Sequence, residues 1–165
     1  MTHDGAASND DPVCAELAGR VAARAAQLGR TIAVAESLTG GRVCAELAAA
    51  PQASTWFRGG VVAYADEVKF EVLDVPVGPV VSAGSARAMA VGVARLTGAD
   101  LAVAITGVGG PAEQEGRAVG TVFLAAHSPT GTTAEEHHLT GDPGDITSVA
   151  AALALSLLLR QANDD

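Results

Sequence analysis

Ser37 lies in the segment AESLTGG (residues 35–41), which joins a short apolar run to a helical pattern. A turn of this kind places Ser37 and Thr39 near a helix N-terminus, where backbone N–H groups can bind an anion. The same groups can stabilise the oxyanion that forms when a serine attacks a carbonyl carbon. The competing interpretation is that either hydroxyl simply caps the helix, and the local spacing alone favours the cap. The segment has neither the GxxxxGK nor the GxGxxG spacing of the common nucleotide-binding turns.

Lys69 is the only lysine among ten basic residues, and Tyr64, five residues earlier, is the only tyrosine. A composition so biased towards arginine can keep lysine where arginine cannot substitute, because a desolvated amine can lose its proton. Lys69 is therefore a candidate general base, with Tyr64 orienting it or relaying a proton. A lone lysine on a solvated helix is an equally good interpretation of the composition by itself.

A second loop, TGVGGP (residues 106–111), has three glycines in five residues and also follows an apolar run. Such a loop lets the backbone approach a ligand closely, although a glycine-rich turn after a strand is common. No metal site is predicted. The two cysteines lack CxxC spacing, and the adjacent His137 and His138 would point to opposite faces of a strand.

Buried strands alternate with helices along the chain, which predicts a single three-layer α/β/α domain with a largely parallel sheet and an antiparallel edge hairpin. Ligands of such sheets bind beyond the carboxyl ends of the strands, where both loops are expected. Strands are predicted at 31–35, 59–64, 100–105, 119–126 and 132–139. Helices are predicted at 12–28, 42–50, 66–73, 82–97 and 145–160.

The length of 165 residues favours one domain, and the formal charge of −9 argues against a nucleic-acid partner. Residues 1–11 are polar and acidic, which predicts a disordered tail ahead of a domain over 12–162. The longest apolar stretch, 149–159, is shorter than the roughly 18 residues of a membrane span, so it predicts a buried helix. These features favour a cytoplasmic protein without a membrane partner.

Five blocks of the sequence together resemble the CinA C-terminal domain family. In chain order they are AESLTGG (35–41), GGVVAYADEVK (59–69), VSAGSARAMA (81–90), ITGVGGP (105–111) and VGTVFLA (119–125). The blocks occur in the family's order and cover nearly the whole chain outside the acidic tail. The resemblance implies an amidohydrolase that converts nicotinamide mononucleotide to nicotinic acid mononucleotide and ammonia, in the recycling of pyridine nucleotides.

The resemblance also implies roles for individual residues. Ser37 is the expected nucleophile, Lys69 its base and Tyr64 a proton donor to the departing ammonia, with backbone N–H groups of residues 39–41 holding the oxyanion. The expected substrate-binding residues are Glu36, Thr39, Gly40, Gly41, Thr106, Gly107 and Gly110. Neither a metal nor an organic cofactor is implied, and a homodimer is expected.

The chain departs from the family pattern at several positions. Leu38 replaces a usual cysteine, Ala118 replaces a proline, and the segment GDPGDIT (141–147) lacks two arginines that the family commonly has. If those arginines hold phosphate, this chain must use others, such as Arg42, Arg58 or Arg117. Two alternatives therefore stay open: an inactive module that binds a pyridine nucleotide, and an amidohydrolase of another small amide.

Overall fold

Five strands and six helices form the domain in a computed structural model, which describes residues 11–164. The strands are β1 (Ile32–Glu36), β2 (Phe57–Val62), β3 (Leu101–Gly107), β4 (Thr121–Ser128) and β5 (Gly131–His138). The helices are α1 (Pro12–Leu28), α2 (Arg42–Ala49), α3 (Ala53–Trp56), α4 (Asp66–Leu73), α5 (Ala83–Thr97) and α6 (Pro143–Asp164). The short helix α3 was not predicted, and the predicted strands are displaced by one or two residues from the observed ones.

The strands form one sheet in the order β2-β1-β3-β4-β5. β1 lies parallel to both β2 and β3, whereas β4 is antiparallel to β3 as well as to β5. The predicted α/β class is confirmed, and the antiparallel part includes the β3–β4 pairing in addition to the expected edge hairpin. Because β1 and β3 are adjacent and parallel, the loops that follow them leave the sheet at the same edge.

The two faces of the sheet differ in the size of their side chains. Ile32 and Val34 of β1 face the layer that contains α1, α2 and α6, while Ala33 and Ala35 face the layer that contains α5. β3 alternates in the same way between large and small residues. The small side chains of the alanine-lined face let α5 approach the strands closely. The alanine-rich composition of the chain thus contributes to close packing between this helix and the sheet.

The two ends of the described chain are both helical. Asp11, which the sequence placed in the acidic tail, is the N-cap of α1 and accepts a hydrogen bond from the Val13 N–H. The rest of the predicted tail lies outside the described residues. At the other end, α6 is apolar and long enough to cross a membrane, but much of it is buried against α1 and the sheet, as in a core helix of a globular protein.

Gly92 of α5 lies so close to the end of α4 that a larger side chain at this position should destabilise the fold. A Cβ at this position would lie 2.1 Å from the Leu73 carbonyl oxygen at the end of α4. We expect Gly92→Ala to lower the free energy of unfolding by about 1–3 kcal/mol, because the α4–α5 contact must open. Chemical denaturation monitored by circular dichroism measures the change.

Gly19 provides the matched control, since it also lies inside a helix but a Cβ there would meet no neighbouring atom within 4 Å. Gly19→Ala is expected to stabilise the domain by up to about 1 kcal/mol through helix propensity alone. Equal effects of the two substitutions would contradict the close α4–α5 approach.

Candidate active site

A cavity of about 180 Å³ lies where β1 and β3 end, beside the first turns of α4 and α6. Six of the residues singled out in the sequence line it: Ser37, Tyr64, Lys69, Thr106, Gly107 and Gly110. The fold thus brings together residues that are up to 73 positions apart in the chain, from 37 to 110. The cavity occupies the place that the arrangement of strands predicts for a ligand.

Ser37 directly follows β1 and is largely buried, with 8% of its surface exposed. Its backbone N–H donates to the Ile105 carbonyl of β3, and its own carbonyl accepts from the Gly40 N–H. The first bond extends the parallel pairing beyond the strand, and the second closes a tight turn. The Ser37 backbone is therefore fixed on both sides.

Glu36, the last residue of β1, is fully buried and determines where α2 begins. Its carboxylate accepts hydrogen bonds from the backbone N–H groups of Gly41, Val43 and Cys44, at 3.0, 3.2 and 2.7 Å. These are N–H groups of the first turn of α2, whose positive dipole end favours a negative charge. The Glu36 carboxylate thus occupies the anion-binding end of α2. Glu36 does not line the cavity, so the structure does not support the expectation that it binds substrate.

Thr39, Gly40 and Gly41 also lie outside the cavity lining. The Gly40 and Gly41 N–H groups already donate to the Ser37 carbonyl and the Glu36 carboxylate, so they are not free to hold an oxyanion. The Thr39 hydroxyl is buried without a hydrogen-bond partner among the described residues. The turn after Ser37 therefore serves mainly to connect β1 to α2.

Lys69, in the middle of α4, is 1% exposed. Its ammonium group lies 3.3 Å from the Asp66 carboxylate and 3.4 Å from the Tyr64 carbonyl oxygen. The interpretation of Lys69 as a solvated surface residue is wrong, because a buried amine that lines a cavity needs specific partners. Asp66, also in the cavity wall, is the site residue that sequence reasoning missed, and its signal was its position three residues before Lys69.

Tyr64 lies at the rim of the cavity, with 71% of its surface exposed. Its contribution to the surroundings of Lys69 comes from the backbone carbonyl oxygen. The phenol ring is thus placed where a ligand entering the cavity would contact it. The structure does not place the phenol hydroxyl among the hydrogen-bond partners of Lys69.

The glycine-rich loop after β3 forms a further part of the cavity wall. The Thr106 hydroxyl donates to the Val80 carbonyl oxygen at 2.9 Å, so this side chain ties the end of β3 to the segment before α5. A Cβ at Gly107 would lie 2.5 Å from the Thr121 carbonyl oxygen, and Gly110 has a φ of 92°. Both positions therefore require glycine for backbone reasons.

Glu115 fastens the remainder of this loop over the cavity. Its carboxylate accepts from the N–H groups of Val80 and Val81, at 2.9 and 2.8 Å. Val80 and Val81 line the cavity, so this contact shapes the wall that faces Ser37. The sequence carried no signal for this pairing, because Glu115 is 34 or more positions away from both valines in the chain.

Neither cysteine is a candidate nucleophile. Burial raises the pKa of the Cys44 thiol well above its ordinary value, and the adjacent Glu36 carboxylate raises it further. Burial, with Asp11 nearby, raises the pKa of Cys14 to about 12. Within residues 11–164, no group of three or more His, Cys, Asp or Glu side chains is arranged to hold a metal ion.

The arginines proposed to hold a phosphate are not in the cavity wall. Arg117 lies over the Phe123 ring and pairs with Glu136 at 3.6 Å. Arg42 opens α2 and Arg58 lies on the edge strand β2, and neither lines the cavity. Among the described residues, Lys69 is the only basic one that does.

The fold and the cavity define a three-layer α/β domain with an enzyme-like site at the carboxyl ends of its parallel strands. A family model, the CinA C-terminal domain, matches residues 14–162. A CinA-like protein of Frankia casuarinae is 42% identical over 149 residues, which are 87% of this chain and 34% of that protein. The chain therefore belongs to the CinA C-terminal domain family.

Solved structures agree with this assignment. A competence-damaged protein (CinA) superfamily protein from Klebsiella pneumoniae superposes with a TM-score of 0.88 at 32% identity, over 92% of this chain and 99% of that one. A superfamily member from Escherichia coli gives 0.87 at 30% identity, over 97% and 95% of the two chains. The chain spans about a third of the length of the curated relatives it matches.

The three hydrogen bonds of Glu36 predict that its charge stabilises the fold. We expect Glu36→Gln to lower the free energy of unfolding by about 2–4 kcal/mol, because a neutral amide loses charge-assisted bonds and turns a donor towards donors. Urea denaturation at neutral pH measures the difference. Glu16→Gln, at an exposed position of α1, is the control and should change stability little. Equal stability of the two variants would contradict the role given to Glu36.

Proposed function

We propose that this domain hydrolyses the carboxamide of nicotinamide mononucleotide to nicotinic acid mononucleotide and ammonia, with Ser37 as nucleophile and Lys69 as its base. Membership of the CinA C-terminal domain family supports this proposal. The observation that carries it is that the only lysine of the sequence is buried in the cavity wall that Ser37 also lines. A buried amine and a serine that line one cavity at the end of a strand suit nucleophilic catalysis.

The mechanism begins with proton transfer from the Ser37 hydroxyl to the neutral amine of Lys69, while the serine oxygen attacks the amide carbon. Collapse of the tetrahedral intermediate breaks the C–N bond, and the nitrogen leaves as ammonia after taking a proton from Lys69, either directly or through Tyr64, which Lys69 then reprotonates. Lys69 is neutral again in both cases. A water molecule, deprotonated by Lys69, then attacks the acyl-serine. The serine hydroxyl is regenerated and the carboxylic acid is released, so one water is consumed for each amide cleaved.

The oxyanion needs donors other than the Gly40 and Gly41 N–H groups, which are already occupied. Among the described residues lining the cavity, Leu38, Gly109 and Gly110 have backbone N–H groups that no described acceptor takes. Leu38 follows the proposed nucleophile directly, and a Cβ at Gly109 would lie 3.6 Å from the Leu38 Cβ, so the two segments are neighbours. We assign the oxyanion to these groups, because donors that are already fixed and unoccupied need no reorganisation during the reaction.

A non-catalytic binding module is the second candidate, favoured by the contact between Lys69 and Asp66. In an ion pair the amine carries a proton, and in that form it cannot accept the proton of Ser37. The catalytic proposal therefore requires Lys69 to transfer its proton when substrate enters, with the Asp66 carboxylate as the nearest acceptor. The binding proposal requires no such transfer.

The test is turnover of nicotinamide mononucleotide, measured both as ammonia and as nicotinic acid mononucleotide. We expect Ser37→Ala and Lys69→Met to lower kcat by at least about 10³-fold, because members of a nucleophile–base pair fail together. Lys69→Met keeps most of the length of the side chain, so loss of packing does not explain its effect.

Ser54→Ala, at an exposed serine of α3, serves as the matched control and should retain full activity. Turnover that survives in Ser37→Ala would contradict the covalent mechanism while leaving the reaction in place. Thermal stabilisation of the parent protein by the nucleotide, without turnover, would favour the binding module.

A further inference from the structure

We infer that this site recognises the pyridinium carboxamide and not a phosphate, so that the non-phosphorylated ribonucleoside of nicotinamide is turned over at least as efficiently as the mononucleotide. This inference rests on the proposed function, since it concerns the substrate of the same cavity. It follows from where the chain places its cations, its helix N-termini and its carboxylates.

Basic side chains are the first means of binding a phosphate, since arginine and lysine are its usual ligands in proteins. All ten basic residues of the sequence lie within the described part of the chain, and no arginine among them lines the cavity. The single basic residue of the cavity wall, Lys69, is already engaged by Asp66 and by the Tyr64 carbonyl oxygen. A phosphate entering the cavity would therefore find no cation of this chain free to pair with it.

Helix N-termini are the second means of binding a phosphate, and the chain's own carboxylates take those of α2 and α6. Glu36 accepts from the first-turn N–H groups of α2, and Glu115 accepts from Val80 and Val81 in the segment before α5. The start of α4 has no side-chain cap, but Asp66 and Glu67 place two carboxylates in its first turn.

At α6, Asp142 and Asp145 form a reciprocal pair at the helix start. The Asp145 N–H donates to the Asp142 carboxylate at 2.9 Å, and the Asp142 N–H donates to the Asp145 carboxylate at 3.2 Å. Pro143, which lines the cavity, has no N–H to offer. A phosphate at this helix start would displace a carboxylate and meet a second one.

The described wall of the cavity has no excess positive charge with which to attract an anion. Asp66 balances Lys69, and the carboxylates of Glu36, Glu115 and the α6 pair have no basic partner among the described residues of the cavity wall. The ribonucleoside of nicotinamide has a positively charged pyridinium ring and no negative group, whereas the 5′-phosphate makes the nucleotide a net anion. The formal net charge of −9 on the chain therefore attracts the ribonucleoside and opposes the nucleotide, and no described arginine of the cavity wall offsets this.

The experiment compares kcat/KM for the two substrates with the full chain at low salt. We expect the ribonucleoside to equal or exceed the nucleotide, and its advantage to shrink as added salt screens the carboxylates. A preference for the nucleotide of more than about tenfold would overturn the inference and leave the proposed hydrolysis standing.

If the parent protein turns over neither compound, calorimetry with the parent protein separates the two proposals. Comparable binding of both compounds to it would refute the hydrolysis and sustain the part of the inference that concerns recognition. Tighter binding of the nucleotide by more than about tenfold would overturn the inference here as well. Failure of both compounds to bind would refute both proposals.

Thr147 offers a gain-of-function test, since it lines the cavity from the first turns of α6. We expect Thr147→Arg to raise the ratio of nucleotide to ribonucleoside kcat/KM by about tenfold, because it adds the missing phosphate partner. Thr147→Gln, which adds length without charge, should leave the ratio unchanged. An unchanged ratio in Thr147→Arg would contradict the inference that the charge of the cavity wall determines the choice between nucleotide and ribonucleoside.

Arg58 controls for a cation supplied by a second copy of the chain, since it is exposed on the edge strand β2. We expect Arg58→Ala to leave the preference for the two substrates unchanged. Loss of a nucleotide preference in this variant would overturn the inference, because it would show that a neighbouring protomer holds the phosphate.

Discussion

The contact of the Glu36 carboxylate with the first turn of α2 is the interaction on which the rest of the site depends. A fully buried carboxylate is tolerated only where several donors face it, and here three backbone N–H groups do so. The contact fixes the angle between β1 and α2, and Ser37 lies in the turn between them. The same contact keeps the dipole end of α2 occupied by the Glu36 carboxylate, so the helix start fixes the position of Ser37 without itself offering an anion site.

Small residues let the remaining walls of the cavity close around Ser37. The alanine-lined face of the sheet brings α5 and the segment of Val80 and Val81 close to the strand ends. Gly107 brings the loop after β3 against β4, where a side chain would collide with the backbone. A core built from larger side chains would hold these layers further apart and open the cavity to solvent.

Acidic residues have a consistent place in this protein, because several of them complete helix N-termini around one cavity. Such pairing is favourable for each helix by itself, since backbone donors and a carboxylate satisfy one another. The cavity wall itself has one carboxylate, Asp66, paired with Lys69, and none of the described arginines contributes to it. The acidic residues of this region thus serve helix starts, and the basic residues lie elsewhere.

The sequence by itself determined the fold class, most element positions and the group of Ser37, Tyr64 and Lys69, because hydrophobic period, turn residues and rare residue types are local signals. It did not determine that β4 runs antiparallel to β3, or that Glu36 faces α2 while Asp66 faces Lys69. It also could not show that Glu115 reaches Val80 or that Arg117 turns away to Phe123. Only the tertiary structure decided these points, since a carboxylate or an arginine has the same spacing in the chain whichever partner the packing brings to it.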